Sequence, residues 1–462
     1  MRLASLLLVL ALSMPALAQE QTRIPDGALE RAATLRAQAL ADDTSWRITE
    51  SLTTEVGPRL PGSEADARAV AWAEAKFAEL GYDRVWTEPV TFPKWVRNSE
   101  SARVVGEHAQ PLVVTALGGS AGGEVEAEIV RFEDFAALEA APEGSLEGRI
   151  AFIDYRMDRA RDGSGYGDAG STRGRGPSVA SSRGAAGFLM RSLTTSSARV
   201  ASTGITRFAE GVTPIPAAAL SPADADQLGR LLERGPVTVR LELDVGFEGE
   251  YTSHNVIGEI TGSGGGDEFV VIASHLDSWD LGTGAIDDAS GVGITMAAGH
   301  LIGQLEERPA GTIRVIAFAN EEQGLIGARQ YAERHAADVG LHLIAAESDF
   351  GAGRIYGFNT GAPEHAREAT RRIAEALAPL GIEYMPDRGS PGPDIIPMSQ
   401  AGVTWAWMGQ DGTEYFDLHH NASDTLDKID PEALAQNTAA YVVFAYLAAG
   451  AEGDFGSAPA NP

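Results

Sequence analysis

The stretch "VVIASHLDSWDLGTGAIDDASGVG" holds one histidine and four aspartates: His275, Asp277, Asp280, Asp287 and Asp288. Like charges repel, so a purely structural turn does not gather this many carboxylates; a cation that neutralises them explains the grouping. More metal-capable residues recur downstream. "TIRVIAFANEE" delivers Glu321 and Glu322, "LHLIAAESD" delivers Asp349, and "GTEYFDLHHNASDT" delivers His419 and His420. An acidic pair after a strand is, alone, ordinary for a helix N-terminus. Four such strand ends in one unit call for metal. Two histidines with three or four carboxylates exceed the ligand needs of one tetrahedral zinc. Two metals sharing a carboxylate would use them all and could clamp a water and a carbonyl oxygen between them.

These residues need elements to position them. From residue 251 apolar strands ("FVVIASH", "TIRVIAFANEE", "LHLIAAESDFG", "TWAWMGQ") alternate with helical patterns ("DASGVGITMAAGHLIGQL", "PEHAREATRRIAEALAPLG" and a last helix from Pro431). Such alternation predicts a layered α/β fold with a mixed, largely parallel sheet. In these sheets functional groups collect beyond the carboxyl ends of the strands. Upstream, helical periodicity runs to about residue 81, broken by "GPRLPGS", whose Ser63 can cap the next helix. Residues 118–250 read differently, with short strands, the helix "SPADADQLGRLLER" and a Gly/Ser/Arg-rich loop, "RDGSGYGDAGSTRGRGPSVASS". The expected division is a signal peptide at 1–18, a main domain over 19–117 and 251–450 whose second part carries the metal-capable residues, an inserted domain over 118–250 and a tail at 451–462.

Bulk composition narrows the function classes. The 462 residues, 44% hydrophobic and 22% charged, suit a globular protein of two structural units. Arg2, a short apolar run and "ALA" at 16–18 read as a cleavable signal peptide, so the mature chain is expected to be exported, to a bacterial periplasm or beyond. "TAAYVVFAYLAAGA" is too short to span a bilayer and reads as a buried helix. The absence of cysteine removes thiol catalysis, disulfides and thiolate zinc sites. A net charge of −29 argues against nucleic acid and anionic membranes as partners.

"SHLDSWDLGTGAIDDASG", "NEEQGLIGA", "ESDFG" and "HHNASDT" together resemble the zinc exopeptidases of metallopeptidase family 28, nearest its carboxypeptidase Q branch. "GPRLPGS" fits the same pattern, and the insert resembles a protease-associated domain. The resemblance covers nearly all of the chain after the signal peptide. It implies a three-layer α/β/α zinc-exopeptidase fold, two Zn2+ per chain and a short peptide as substrate; a homodimer is the one macromolecular partner the reading admits. By resemblance, His275 and Asp349 would bind one zinc, Glu322 and His420 the other, and Asp287 both. Glu321 would be the general base, taking a proton from the attacking water and returning it to the leaving amine. Asp277 would accept the imidazole N–H of His275. Relatives hold the bond after the bridging Asp in cis, so Asp287–Asp288 should be cis.

Physics alone does not order Glu321 against Glu322; the family pattern does. His419 stands where many relatives carry a Tyr, and either donates to the developing oxyanion, as an imidazolium, or only packs. Asp280 and Asp288 read as loop or cap residues, and Asp424 as a cap or a local hydrogen-bonding residue, with support of His420 as the alternative. His108, His254, His300, His335, His342 and His365 have no spacing that recommends them. Two rival readings remain: a glutaminyl cyclase-like enzyme with a single zinc, and a catalytically inactive receptor-like relative. The chain keeps more ligands than the first needs and all the residues the second would have lost. Aminopeptidase, dipeptidase and carboxypeptidase are not separated by sequence.

Overall fold

The computed structural model describes residues 21–457. The expected signal peptide at 1–18 lies outside the described residues, as does the end of the expected tail. The strands Phe269–His275, Thr312–Phe318 and His342–Glu347 lie parallel, with Phe269–His275 in the middle. Nearly all their residues are buried, and side chains alternate between two cores. Val270, Ile272, Val315, Ala317 and Ile344 face one core, with helices Ser290–Gly303 and Pro431–Ala449. Phe269, Val271, Ala273, Ile316 and Phe318 face another, with Ala328 and Tyr331 of helix Ile326–Arg334 and Ile395 and Met398 of helix Ile395–Ala401. A sheet covered on both faces needs continuous apolar strands rather than alternating ones. That is why these segments are legible as uninterrupted hydrophobic runs.

The helix Pro431–Ala449 is buried along most of its length, as its composition predicts. No helix among the described residues is long and apolar enough to cross a membrane. Ser63 caps helix Glu64–Glu79 by accepting a hydrogen bond from the Asp66 N–H.

The link to the 118–250 segment is a long antiparallel ribbon. Strand Arg84–Val105 pairs with Thr238–Ile260 from Arg84↔Glu259 to Val105↔Thr238, with irregularities between Pro93 and Trp95 and between Arg97 and Ser99. Thr238–Ile260 runs through residue 250 without a break. Its far end pairs with Thr312–Phe318, and its near end pairs with Gly123–Phe132. One 11-stranded sheet therefore spans both parts. Beyond the ribbon, Gly123–Phe132, Ile150–Ile153, Gly187–Arg191 and Ala217–Leu220 are parallel neighbours.

The Gly/Ser/Arg-rich stretch expected as a loop instead forms two helices, Ser164–Gly174 and Gly176–Ser182. Glycine costs ~1 kcal/mol per residue in a helix relative to alanine, so propensity conceals them. Packing overrides it: the Tyr166 ring stacks on Phe416 at 4.7 Å, and Pro177 sits in the first turn of the second helix.

Candidate metal centre

The three parallel strands end side by side, and their ends carry the metal-capable residues. His275 is the last residue of its strand, Asp349 lies two beyond His342–Glu347, and the Glu321–Glu322 pair follows Thr312–Phe318. The loop between Thr312–Phe318 and the next helix is tightly turned, with Asn320 and Leu325 at positive φ. The Asp277 carboxylate fixes it, accepting the N–H of Glu321 at 3.0 Å and of Glu322 at 3.2 Å.

This differs from the expected role of Asp277. His275 Nδ1 lies 3.0 Å from the main-chain oxygen of Asp277 and 3.7 Å from its carboxylate. The carbonyl holds the imidazole, and the carboxylate is spent on the Glu pair. Either arrangement aims His275 Nε2 inward. Asp424 also acts elsewhere than expected: it accepts the N–H groups of Ile286, at 2.6 Å, and of Asp287, at 3.3 Å, supporting the Asp287 turn rather than His420. Asp288 is a cap, accepting from Gly291 and His275 N–H groups. Asp280 pairs with Arg97 at 3.2 Å. The Asp287–Asp288 peptide is cis.

Around Asp287 the groups converge. His275 Nε2 lies 3.0 Å from Asp287 Oδ1 and 3.3 Å from Asp349 Oδ1. On the other side, His420 Nε2 lies 3.2 Å from Asp287 Oδ2 and 2.9 Å from Glu322 Oε2. His419 stacks on His420 with ring centroids 3.4 Å apart and places Nε2 3.5 Å from Asp287 Oδ2. Two metal-capable clusters result, His275/Asp287/Asp349 and Asp287/His419/His420, and they share Asp287.

The electrostatics fit cations at this place. Burial, then repulsion from Asp349, Glu322 and Asp277, pushes the Glu321 carboxyl well above the ordinary carboxylate range despite the opposing charge of His275. Burial, with Asp349 and Asp287 beside it, does the same to Asp288. Burial alone would lower the His275 pKa, but Asp349, Asp277 and Asp287 outweigh it and hold it well above its usual value. His420 is likewise raised to about 9, Glu322 and Asp287 overcoming burial. His419 goes the other way, held well below by burial and by the charge of His420, so its surroundings favour neutral imidazole over the expected imidazolium. Asp287 Oδ2 and Glu322 Oε1 are buried without a hydrogen-bond partner among the described residues. Such atoms cost free energy unless a ligand satisfies them. Inward-facing imidazoles, orphaned carboxylate oxygens and a shared aspartate together suit a di-zinc centre.

Several residues escaped the sequence reading. Arg59, in "GPRLPGS", is fully buried and donates to the carbonyls of Gly57, Leu276, Thr283 and Gly284, tying together the ends of the 276–284 loop. Prolines and glycine around it suggested only a turn. Arg59→Met would strand those carbonyls, and hydrogen bonds from a charged donor contribute ~1.5–3 kcal/mol each. The variant should lose at least ~3 kcal/mol of stability in urea unfolding. A loss below ~1 kcal/mol would show that the loop holds itself. Glu347 and Asp394 form a second buried acidic pair, with the Asp394 N–H donating to Glu347 at 2.9 Å. Burial, then the charge of Asp349, lifts Glu347 to about 8. Glu347 and Asp349 line a cavity of about 210 Å³ with Phe350, Tyr356, Trp407 and Met408. Asp394, in "SPGPDIIP", carries no sequence signal that distinguishes it from a turn residue.

A model of peptidase family M28 matches residues 255–445, the part that carries the centre. Carboxypeptidase Q of Xenopus laevis is 33% identical over 90% of this chain and 88% of its own length. The chain belongs to peptidase family M28. Its relation to the carboxypeptidase Q branch extends to the human protein, 31% identical over 89% of this chain and 86% of that one. Among solved structures, a peptidase M28 precursor from Shewanella amazonensis SB2B is 47% identical, with a TM-score of 0.91 over 95% of this chain and 99% of that chain. An aminopeptidase of Aneurinibacillus sp. strain AM-1, 22% identical, shares the fold at a TM-score of 0.63 over 94% of this chain and 98% of that chain. As an M28 member with two metal-capable clusters, the chain is a zinc metallopeptidase of the exopeptidase type.

Proposed function

We propose that this M28 peptidase is exported and hydrolyses dipeptides or short peptides at a chain terminus. The observation that carries the reading is Asp287 standing between two histidine clusters, with the partly buried Glu321 beside them. In this reading His275 and Asp349 hold one zinc, Glu322 and His420 the other, and Asp287 serves both. Zinc bound there would polarise the peptide carbonyl and acidify the attacking water. Glu321, next to the centre yet reachable from solvent, takes the proton from that water and returns it to the leaving amine. Asp277 positions Glu321 and Glu322 through their N–H groups. His419 enters as a neutral N–H donor toward the developing oxyanion. Residues 118–250 act as an inserted unit beside the centre: the Thr203 N–H donates to the His420 carbonyl, and Arg159 pairs with Asp417. That contact favours chain ends over internal bonds. The similarity to the Shewanella protein described as a precursor, and the signal-like residues 1–18, support export.

The test is a panel of dipeptides and tripeptides with free and blocked termini, given to zinc-loaded protein. Hydrolysis should require a free terminus, stop on chelation and return with zinc. Equal cleavage of a peptide blocked at both ends would overturn the reading.

A further inference from the structure

Two arginines of the inserted segment reach the metal-binding loops without a carboxylate partner among the described residues. Nη1 of Arg173 lies 3.5 Å from His420 Nδ1 and donates to the Thr203 carbonyl at 3.3 Å, while its Nε is buried and unpartnered. Arg207 is exposed and donates from Nη2 to the Gln323 carbonyl at 3.3 Å, one residue beyond Glu322. The two are neighbours, since the Arg207 N–H donates to the Gly174 carbonyl at 3.1 Å. Arginines of this acidic chain that border the same segment, such as Arg97, Arg159, Arg161 and Arg191, each pair with a carboxylate. The backbone also makes room for these two guanidinium groups. A Cβ on Gly204 would overlap Arg173, and one on Gly324 would overlap Arg207; both glycines have φ in the range that side chains avoid, at +135° and +130°.

We propose that Arg173 and Arg207 form a clamp for the substrate's free α-carboxylate, which makes the preferred substrate a dipeptide or a peptide losing a single C-terminal residue. The inference rests on the zinc exopeptidase reading above and deepens it. A guanidinium presents five N–H donors in a planar fork that suits a carboxylate. Arg173 and Arg207 spend few of theirs on the protein. Arg173 approaches His420 and Arg207 touches Gln323, the residue after Glu322, so both lie on the His420–Glu322 side of Asp287. A leaving group of one residue carries its carboxylate only ~3.8 Å, one Cα step, past the scissile bond. A longer leaving peptide would put a neutral amide there and forgo the charge-assisted bonds. Among the described residues the opposite flank carries no arginine beside the centre and opens on the cavity lined by Glu347, Asp349, Phe350 and Trp407. A dipeptide thus meets arginine at its carboxyl end. Arg173 and Arg207 are positioning residues: they hold the end of the substrate, not its reacting atoms.

The experiment compares alanyl-alanine with alanyl-alaninamide as substrates of the zinc-loaded protein. It also measures, by calorimetry, the binding of a reduced-amide dipeptide isostere with a free or an amidated carboxyl. In the wild type, kcat/KM and affinity should favour the free carboxylate by ~10–100-fold, the worth of a charge-assisted bond. Arg207→Ala, at an exposed position, should bring both ratios toward one at unchanged zinc content, chiefly through KM, and Arg207→Lys should keep part of the preference. Arg173→Gln provides a second reading, with zinc content measured because His420 is adjacent. No preference in the wild type, or an undiminished preference in both variants, overturns the clamp. If neither dipeptide is hydrolysed while the isostere still shows the preference and loses it in Arg207→Ala, the clamp stands and the exopeptidase reading falls.

Discussion

Glu321→Gln should leave two zinc ions in the protein and remove nearly all turnover. Glutamine keeps the size and the main-chain N–H that Asp277 accepts, but its side chain cannot take up a proton. A lost acid–base group typically costs ~10²–10⁴ in rate. Substrate affinity should survive, because the substrate's ends are held elsewhere. The neighbouring Glu322 should fail in another way. Its carboxylate lies 2.9 Å from His420 Nε2 and is deeply buried. Glu322→Gln should weaken one zinc site, and added zinc should restore part of the activity. Measuring kcat, KM and zinc stoichiometry for both variants separates the roles. Zinc loss in Glu321→Gln with retention in Glu322→Gln would mean the pair is assigned backwards. An active Glu321→Gln enzyme would remove the general-base mechanism altogether.

The second large effect is expected at Asp287. It alone belongs to both metal-capable clusters, with one carboxylate oxygen 3.0 Å from His275 and the other 3.2 Å from His420. Asp287→Ala should therefore empty both sites. His420→Ala should deplete mainly one, since His275 and Asp349 remain together at 3.3 Å. Elemental analysis after dialysis at a fixed free zinc concentration distinguishes the two. If Asp287→Ala keeps two zinc ions bound as tightly as the wild type, the aspartate is not shared. Wild-type protein that binds only a single zinc would return the single-zinc cyclase alternative to consideration.

His275, Asp349 and the Glu321–Glu322 pair were legible because each follows a long apolar strand, and a strand buried on both faces leaves an unmistakable hydrophobic run. "FVVIASH" announces His275 in this way, and "LHLIAAESD" announces Asp349. The fourth expected strand end differs, since His419 and His420 follow the short helix Tyr415–Leu418 and the strand before it, Ala406–Gln410, lies in a separate three-stranded sheet. Supports were harder to read, since they depend on which main-chain groups happen to be near. Nothing in "HLD" says that the carbonyl of Asp277, rather than its carboxylate, faces the imidazole. Nothing near Asp424 says that its partners are the N–H groups of Ile286 and Asp287, 138 and 137 positions away. Arg59 was concealed by the prolines beside it. Helix Ser164–Gly174 was concealed by its own glycines, and with it the placement of Tyr166 and Arg173 against His419 and His420.

The ribbon of Arg84–Val105 and Thr238–Ile260 bears on how this protein could be taken apart. A deletion of 118–250 would remove the partners of residues 93–105, because Pro93 pairs with Glu250 and Val105 with Thr238. The severed strand would present an open edge of unpaired main-chain groups, the kind that draws neighbouring molecules into sheets. A minimal catalytic core made by cutting at those points should therefore precipitate rather than simplify. A swap of residues 118–250 between relatives must carry both arms of the ribbon, or splice within the ladder at its irregularities near Pro93–Trp95 and Arg97–Ser99, where the pairing is already interrupted. Heredity would face the same restriction as the engineer: the two arms lie far apart in the gene, yet neither can change length without the other.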